Sequence, residues 1–119
     1  MNLEIFYDYC LSKKGVTEHF PFDDDTLVFK VGGKMFALSS LSQWEKAEPA
    51  VNLKCDPERA QELRAQYEDI KPGWHMSKVH WNTVSINKEV ADTLVKELID
   101  HSYSLIFSSL SKKVKSEMK

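Results

Sequence analysis

Leu27-Val28-Phe29-Lys30-Val31-Gly32-Gly33-Lys34-Met35-Phe36-Ala37-Leu38 decides the fold. Two apolar runs flank a Gly-Gly pair. Both central positions of a tight hairpin turn take positive φ, which glycine adopts at no steric cost. The stretch predicts strands over 27–31 and 35–38 joined as an antiparallel hairpin.

Working outward toward the N-terminus, residues 16–22 predict a strand, and Asp23-Asp24-Asp25 a solvated turn, since the three carboxylates lack the alternating spacing of a calcium loop. Before them, Asn2 caps a helix over 3–14. Leu3, Phe6, Tyr7, Cys10 and Leu11 recur on its face at helical spacing, and Gly15 suits its left-handed end. Toward the C-terminus, residues 39–48 form a connection anchored by Trp44, and 49–54 a fourth strand. Asp56-Pro57-Glu58 opens a second helix: Asp caps, Pro tolerates the first position, and Glu suits the positive end of the dipole. Ala60, Leu63 and Tyr67 give its buried stripe. Residues 71–84 predict two strands about a turn at Met76 to Lys78, with Val79, Trp81 and Thr83 turned inward. Asn87 caps the longest helix, whose two-row apolar stripe runs from Val90 to Leu110. Asp100-His101-Ser102 marks a kink in it, since all three types favour helix ends. Ser111 to Lys119 predicts a mobile basic tail. The order implies one α+β domain over 1–119, an antiparallel sheet with N- and C-terminal helices packed on one face.

A chain of 119 residues with 42% hydrophobic and 29% charged residues buries one core without metal or disulfide help. Two cysteines make no framework and, with no leader segment or apolar run of membrane length, point to a reducing cytoplasm, away from membranes; the chain is expected to be a monomer. Cys10 belongs to the core. Cys55 sits at a helix start beside Asp56, with no base to activate it. No glycine-rich phosphate loop, nucleophile elbow or paired carboxylates occur, so the chain is expected to be no enzyme and to carry no cofactor. His75 and His80 lie five apart and with Cys55 match no compact zinc spacing, so no metal site is expected.

Net charge is −2, with 16 basic against 18 acidic residues, so the whole molecule does not attract polyanions. The distribution is uneven. Residues 26–44 and 70–88 contain no Asp or Glu but hold Lys30, Lys34, Lys71, Lys78 and Lys88. Both stretches are predicted hairpins, and their tips suit phosphate contact through lysines and backbone N–H groups. Residues 71–84 also hold two of the three tryptophans and two of the four histidines. Lys30, Lys34, Lys54, Lys71 and Lys78, with Trp74, His75 and His80, make up the candidate nucleic-acid-binding set. Lysines on hairpins serve equally to keep strand edges apart and soluble.

The first hairpin, together with Asn52-Leu53-Lys54-Cys55-Asp56-Pro57-Glu58, Pro72-Gly73-Trp74-His75-Met76, Lys78, His80-Trp81-Asn82-Thr83-Val84 and Leu98-Ile99-Asp100-His101-Ser102-Tyr103, resembles the MmcQ/YjbR-like family of small bacterial proteins. The pieces occur in order over nearly the whole chain. It departs from the family pattern at Trp74, Ser77 and Ser111, where tyrosine, asparagine and proline are expected. The resemblance implies a frataxin-like (CyaY-like) fold and modest, salt-sensitive DNA binding through two hairpin wings, Lys30 to Met35 and Lys71 to Asn82. Alternatives are a protein-interaction module using the sheet face and Trp74, and an iron-binding protein. Frataxin-type metal binding uses an acidic first helix, and here that helix carries only Glu4 and Asp8.

Overall fold

The computed structural model describes residues 1–118. Its elements in chain order are α1 (Leu3–Leu11), β1 (Val16–His19), β2 (Thr26–Val31), β3 (Lys34–Ser40), α2 (Leu41–Glu45), β4 (Ala50–Lys54), α3 (Pro57–Gln66), β5 (Ile70–Pro72), β6 (Trp81–Ser85), α4 (Asp92–Ser109) and α5 (Lys112–Glu117). The α+β class holds. Six strands form one sheet in the order β1-β2-β3-β4-β6-β5, with every neighbouring pair antiparallel. The first four strands meander. The chain then crosses over through α3 to the edge strand β5, and β6 fills the gap between β4 and β5.

The predicted ends hold where chemistry is local. Asn2 accepts from the Ile5 N–H, and Asp56 from that of Arg59, with Pro57 following. Gly15, Gly32 and Gly33 all take positive φ. Gly32 has a second reason to lack a side chain, since a Cβ there would lie 2.6 Å from Leu110 and 3.0 Å from Val114.

The helices cover one face. Phe6 and Cys10 of α1, Ala60 and Leu63 of α3, and Val95, Leu98, Ile99 and Ile106 of α4 close over Leu27, Phe29, Val31, Phe36, Val51, Leu53, Ile70 and Val84. Each large side chain so buried contributes about 1.5–3 kcal/mol of transfer free energy. Burial pushes the Cys10 thiol up to about 12 and raises that of Cys55. Trp44 stacks on Phe6 at 5.4 Å and donates its indole N–H to Ser39 Oγ, anchoring α2.

Helix α4 runs unbroken through Asp100-His101-Ser102, where a kink was expected. These polar residues are spent on other elements. Asp100 accepts from Tyr9 Oη at 2.6 Å and pairs with Lys13. His101 Nε2 accepts from the Asp56 N–H at 3.2 Å. Ser102 Oγ accepts from the Lys54 N–H at 2.9 Å and donates to the Phe36 carbonyl at 2.6 Å. Tyr103 Oη donates to the Lys14 carbonyl. Four consecutive residues thus join α4 to α1, to the start of α3, to β3 and β4, and to the turn between α1 and β1.

Burial, with the nearby Arg59 charge adding to it, holds the His101 imidazole below its ordinary value of 6.5. The folded state therefore binds this proton less readily than the unfolded chain. The contribution of neutral His101 is complete above pH 6.5 and is lost as pH falls through the depressed folded value. Urea midpoints are expected to fall from pH 7 to 5.5, and to fall less in His101→Gln. An identical pH slope in the two proteins would refute this assignment.

Three expectations are corrected. Asn87 does not cap α4, which starts at Asp92 with Ala91 as its cap residue. Asn87 instead takes φ 65° and brackets the Met1 amine and carbonyl with its amide. Val79 lies outside any strand and is 59% exposed, while Trp81 and Thr83 lie on the face opposite the helices. Residues 111–118 form no loose tail: Ser111 caps α5, and Val114 and Met118 pack against the core. Lys119 lies outside the described residues.

Candidate functional site

The helix-free face of the sheet is organised in rows. Pairing registers align His19, Val28, Leu38, Asn52, Thr83 and Lys71 across all six strands. Strand side chains alternate faces, so Thr26, Ser40, Ala50 and Ser85 form the next row and Thr17, Lys30, Met35, Lys54 and Trp81 the row on the other side. A bulge at Phe29/Lys30 puts Phe36 and Ala37 together on the core side and restores Lys30 opposite Met35. Val28, Met35, Leu38, Met76 and Trp81 form a small apolar cluster on this face.

The loop between β5 and β6, residues 73–80, stands over one end of the face. Its backbone is pinned by polar side chains from three directions. Trp74 donates its N–H to Thr83 Oγ1 at 2.9 Å, Thr83 donates to Asn52 Oδ1 at 2.5 Å, and Asn52 Nδ2 donates to the Trp74 carbonyl at 3.1 Å. From α3, Arg64 donates Nε to Asn82 Oδ1 at 2.6 Å and its terminal nitrogen to the carbonyls of Trp81 and Lys78. Lys78 Nζ donates to the Gly73 carbonyl at 2.6 Å. His75 takes φ 59°, a conformation found for few non-glycine residues. These bonds hold the backbone while Trp74 stays 70% exposed, its ring 4.7 Å from that of His75.

Beneath the loop lies an open groove of about 910 Å³. Thr26, Ser40, Asn52, Thr83 and Ser85 supply polar groups to its floor. Trp74, His75 and Met76 stand on one rim, and Phe22 and Asp23 on another. Phe22 is 63% exposed. The Asp23 carboxylate accepts from the N–H groups of Thr26 and Asp25 and from the Thr26 hydroxyl, which hold it below its usual range. The two remaining positive-φ residues other than glycine, Ala47 and Asn87, directly precede the lining residues Glu48 and Lys88.

The candidate residues divide. Lys30, Lys54 and Lys71 lie on the helix-free face, Lys30 and Lys54 toward the end of the sheet where both predicted hairpins turn and Lys71 in the central row. Lys34 is exposed at the first tip but reaches across the other face, 3.4 Å from Ser109 Oγ. Lys78 is tied into its own loop. Trp74, His75 and His80 are exposed, and the His80 carbonyl accepts from the Cys55 N–H. Sequence reasoning missed Arg64, Asn52 and Thr83 as the supports of the loop. It also missed that Val114, packed at Gly32, brings Lys112, Lys113 and Lys115 of α5 beside the first hairpin. Among the described residues no group of three or more His, Cys, Asp or Glu is placed to hold a metal ion, and no helix is long and apolar enough to cross a membrane.

The fold and this face define a small α+β protein that presents a hydrogen-bonded aromatic loop and lysines on an open sheet face. Residues 11–105 match the YjbR family model, and the chain belongs to that family. It is 40% identical to the Escherichia coli O157:H7 protein YbdF over 93 residues, 78% of this chain and 74% of that one. It is 34% identical to Escherichia coli YjbR over 103 residues, covering 87% and 85% of the two chains. The crystal structure of the Deinococcus radiodurans protein DR2400 superposes with a TM-score of 0.89 at 37% identity, covering 98% of this chain and 86% of that one.

Proposed function

We propose that the protein binds DNA without catalysing a reaction, through the two hairpins and the lysines around them. The observation that carries this reading is topological: β2–β3 and β5–β6 turn at the same end of the sheet, and neither stretch holds an acid. Their centres lie three strand spacings apart, about 14 Å, close to the roughly 12 Å width of a duplex major groove. Lys112, Lys113 and Lys115 add to the charge beside the first tip, which suits a protein whose net charge is slightly negative. Attraction confined to one end gives modest affinity that falls steeply with salt.

Lys34→Ala combined with Lys71→Ala tests the reading, because both residues are exposed and neither supports the loop. Lys78 is the wrong choice, since its ammonium group holds the Gly73 carbonyl. Binding of a labelled duplex, followed by anisotropy across a salt series, is expected to weaken, and the slope of log K against log salt to shrink by about 1.8, or 0.9 per phosphate contact. Equal affinities and slopes in variant and parent would overturn it. A protein-interaction role is the second reading, favoured by exposed Trp74 and Val79, and it predicts no duplex binding by the parent.

A further inference from the structure

We infer that the groove on the helix-free face takes unpaired bases of single-stranded nucleic acid, with Trp74 as the stacking platform. This rests on the nucleic-acid reading above and narrows it from duplex to single strand. Three observations bear on it together. The first is Trp74 itself. An exposed indole normally loses conformational freedom when it binds, but here both backbone polar groups of Trp74 are already bonded to Thr83 and Asn52. The main chain that carries the ring is therefore fixed before any ligand arrives, which lowers the backbone part of the ordering cost.

The second observation is the chemistry of the floor. Hydroxyl and amide groups of Thr26, Ser40, Asn52 and Ser85 line it; Thr26 and Ser40 donate to Asp23 and Asp25, and Asn52 bonds Trp74 and Thr83, so the hydroxyl oxygens offer mainly acceptor lone pairs. Such groups suit the polar edges of bases, whose flat faces suit an indole. A second exposed ring, Phe22, also borders the groove. Its volume of about 910 Å³ falls within the roughly 300–1,000 Å³ of sites that enclose organic ligands.

The third observation is the placement of charge. On the helix-free face Lys30 and Lys54 occupy the row next to the hairpin end, and Lys71 lies in the central row that carries Asn52 and Thr83. At the opposite end stand the carboxylates Asp23 and Glu48, with Lys88 the one cation among the groove's lining residues. A strand whose phosphates follow the lysines places its bases over the groove, and the carboxylates repel phosphate while accepting from exocyclic amino groups. Base stacking on an aromatic side chain tolerates any sequence, so sequence preference is expected to be weak.

The experiment compares a labelled mixed-sequence 12-mer with the duplex made from it, using anisotropy at one salt concentration. The proteins are the parent, Trp74→Ala, Trp74→Phe and the Lys34→Ala/Lys71→Ala variant, each checked for folding by circular dichroism. The parent is expected to bind the single strand more tightly than the duplex. Trp74→Ala is expected to weaken single-strand binding about tenfold or more and to weaken duplex binding by much less, while Trp74→Phe retains most of the single-strand affinity. Single-strand binding unaltered in Trp74→Ala, or a parent that favours duplex, overturns the inference. If duplex binding still depends on the two lysines, the hairpin reading stands while this one falls. If the parent binds neither form, both fall.

Discussion

Ser102→Ala is expected to cost about 3 kcal/mol of stability, seen as a lower urea midpoint with an unchanged m-value and a melting temperature lower by roughly 10–15 °C. The serine is completely buried in the middle of α4. Its hydroxyl serves two main-chain groups at the point where the β3–β4 ladder ends. The last paired residues are Ala37 and Leu53, and just beyond them the Phe36 carbonyl and Lys54 N–H are bridged by Ser102 Oγ. Alanine leaves both groups dry and unpaired, and each such loss costs about 1–3 kcal/mol. The Lys54 amide should also lose protection from hydrogen exchange before its neighbours do. Ser104→Ala, on the exposed side of the same helix, is the control and should stay within about 0.5 kcal/mol of the parent. If Ser102→Ala matched that control, the bridge would have no energetic weight.

Arg64→Ala is expected to cost a similar amount, about 3 kcal/mol, through a different route. Its guanidinium donates to the Asn82 side chain and to the carbonyls of Trp81 and Lys78. Hydrogen bonds from a charged donor contribute about 1.5–3 kcal/mol each, and three acceptors lose their partner together. The damage should be local. Trp81 is only 9% exposed beneath this loop, so its emission should shift to the red, and the Gly73 and Trp81 amides should exchange faster. Arg64→Lys should recover only part of the loss, because an ammonium group cannot reproduce the planar fork. Nucleic-acid affinity should fall with the order of the loop although Arg64 itself stays out of the interface. A loop as protected in Arg64→Ala as in the parent would show that Asn52, Thr83 and Lys78 suffice to hold it.

These two residues mark where the sequence was legible and where it was not. The Gly-Gly hairpin, the Asn2 and Asp56 caps and the apolar stripes are local patterns, and they located most of the strands, the principal helices and the core face. Residues that act at a distance left no local pattern. Ser102 reads as a kink because serine is a poor helix former, yet it is chosen for two carbonyl and amide partners far along the chain. Arg64 reads as one more surface cation near a helix end. Trp81 and Thr83 were assigned to the wrong side because alternation was extended from Val79, which precedes the strand. Strand periodicity gives two faces but does not say which one the helices will cover. The bulge that places Phe36 beside Ala37 adds to this, since it interrupts the alternation within the very hairpin that defines the sheet. The candidate residues were found by absence of acid, which is visible in sequence. Their division between the two faces depends on register, which is not.

The ties from Asp100 to Tyr103 also bear on the birth of the protein. Helix α4 follows every strand in the chain, and it is the element that lids Phe36, Leu53 and their neighbours. While the ribosome is still adding α4, the strands made before it have only α1 and α3 to cover their apolar side, and Phe36 and Leu53 lack the α4 residues that close over them. That partly covered state must either wait, loosely collapsed, or be shielded by a chaperone until α4 arrives. Completion of this fold thus waits for the synthesis of α4.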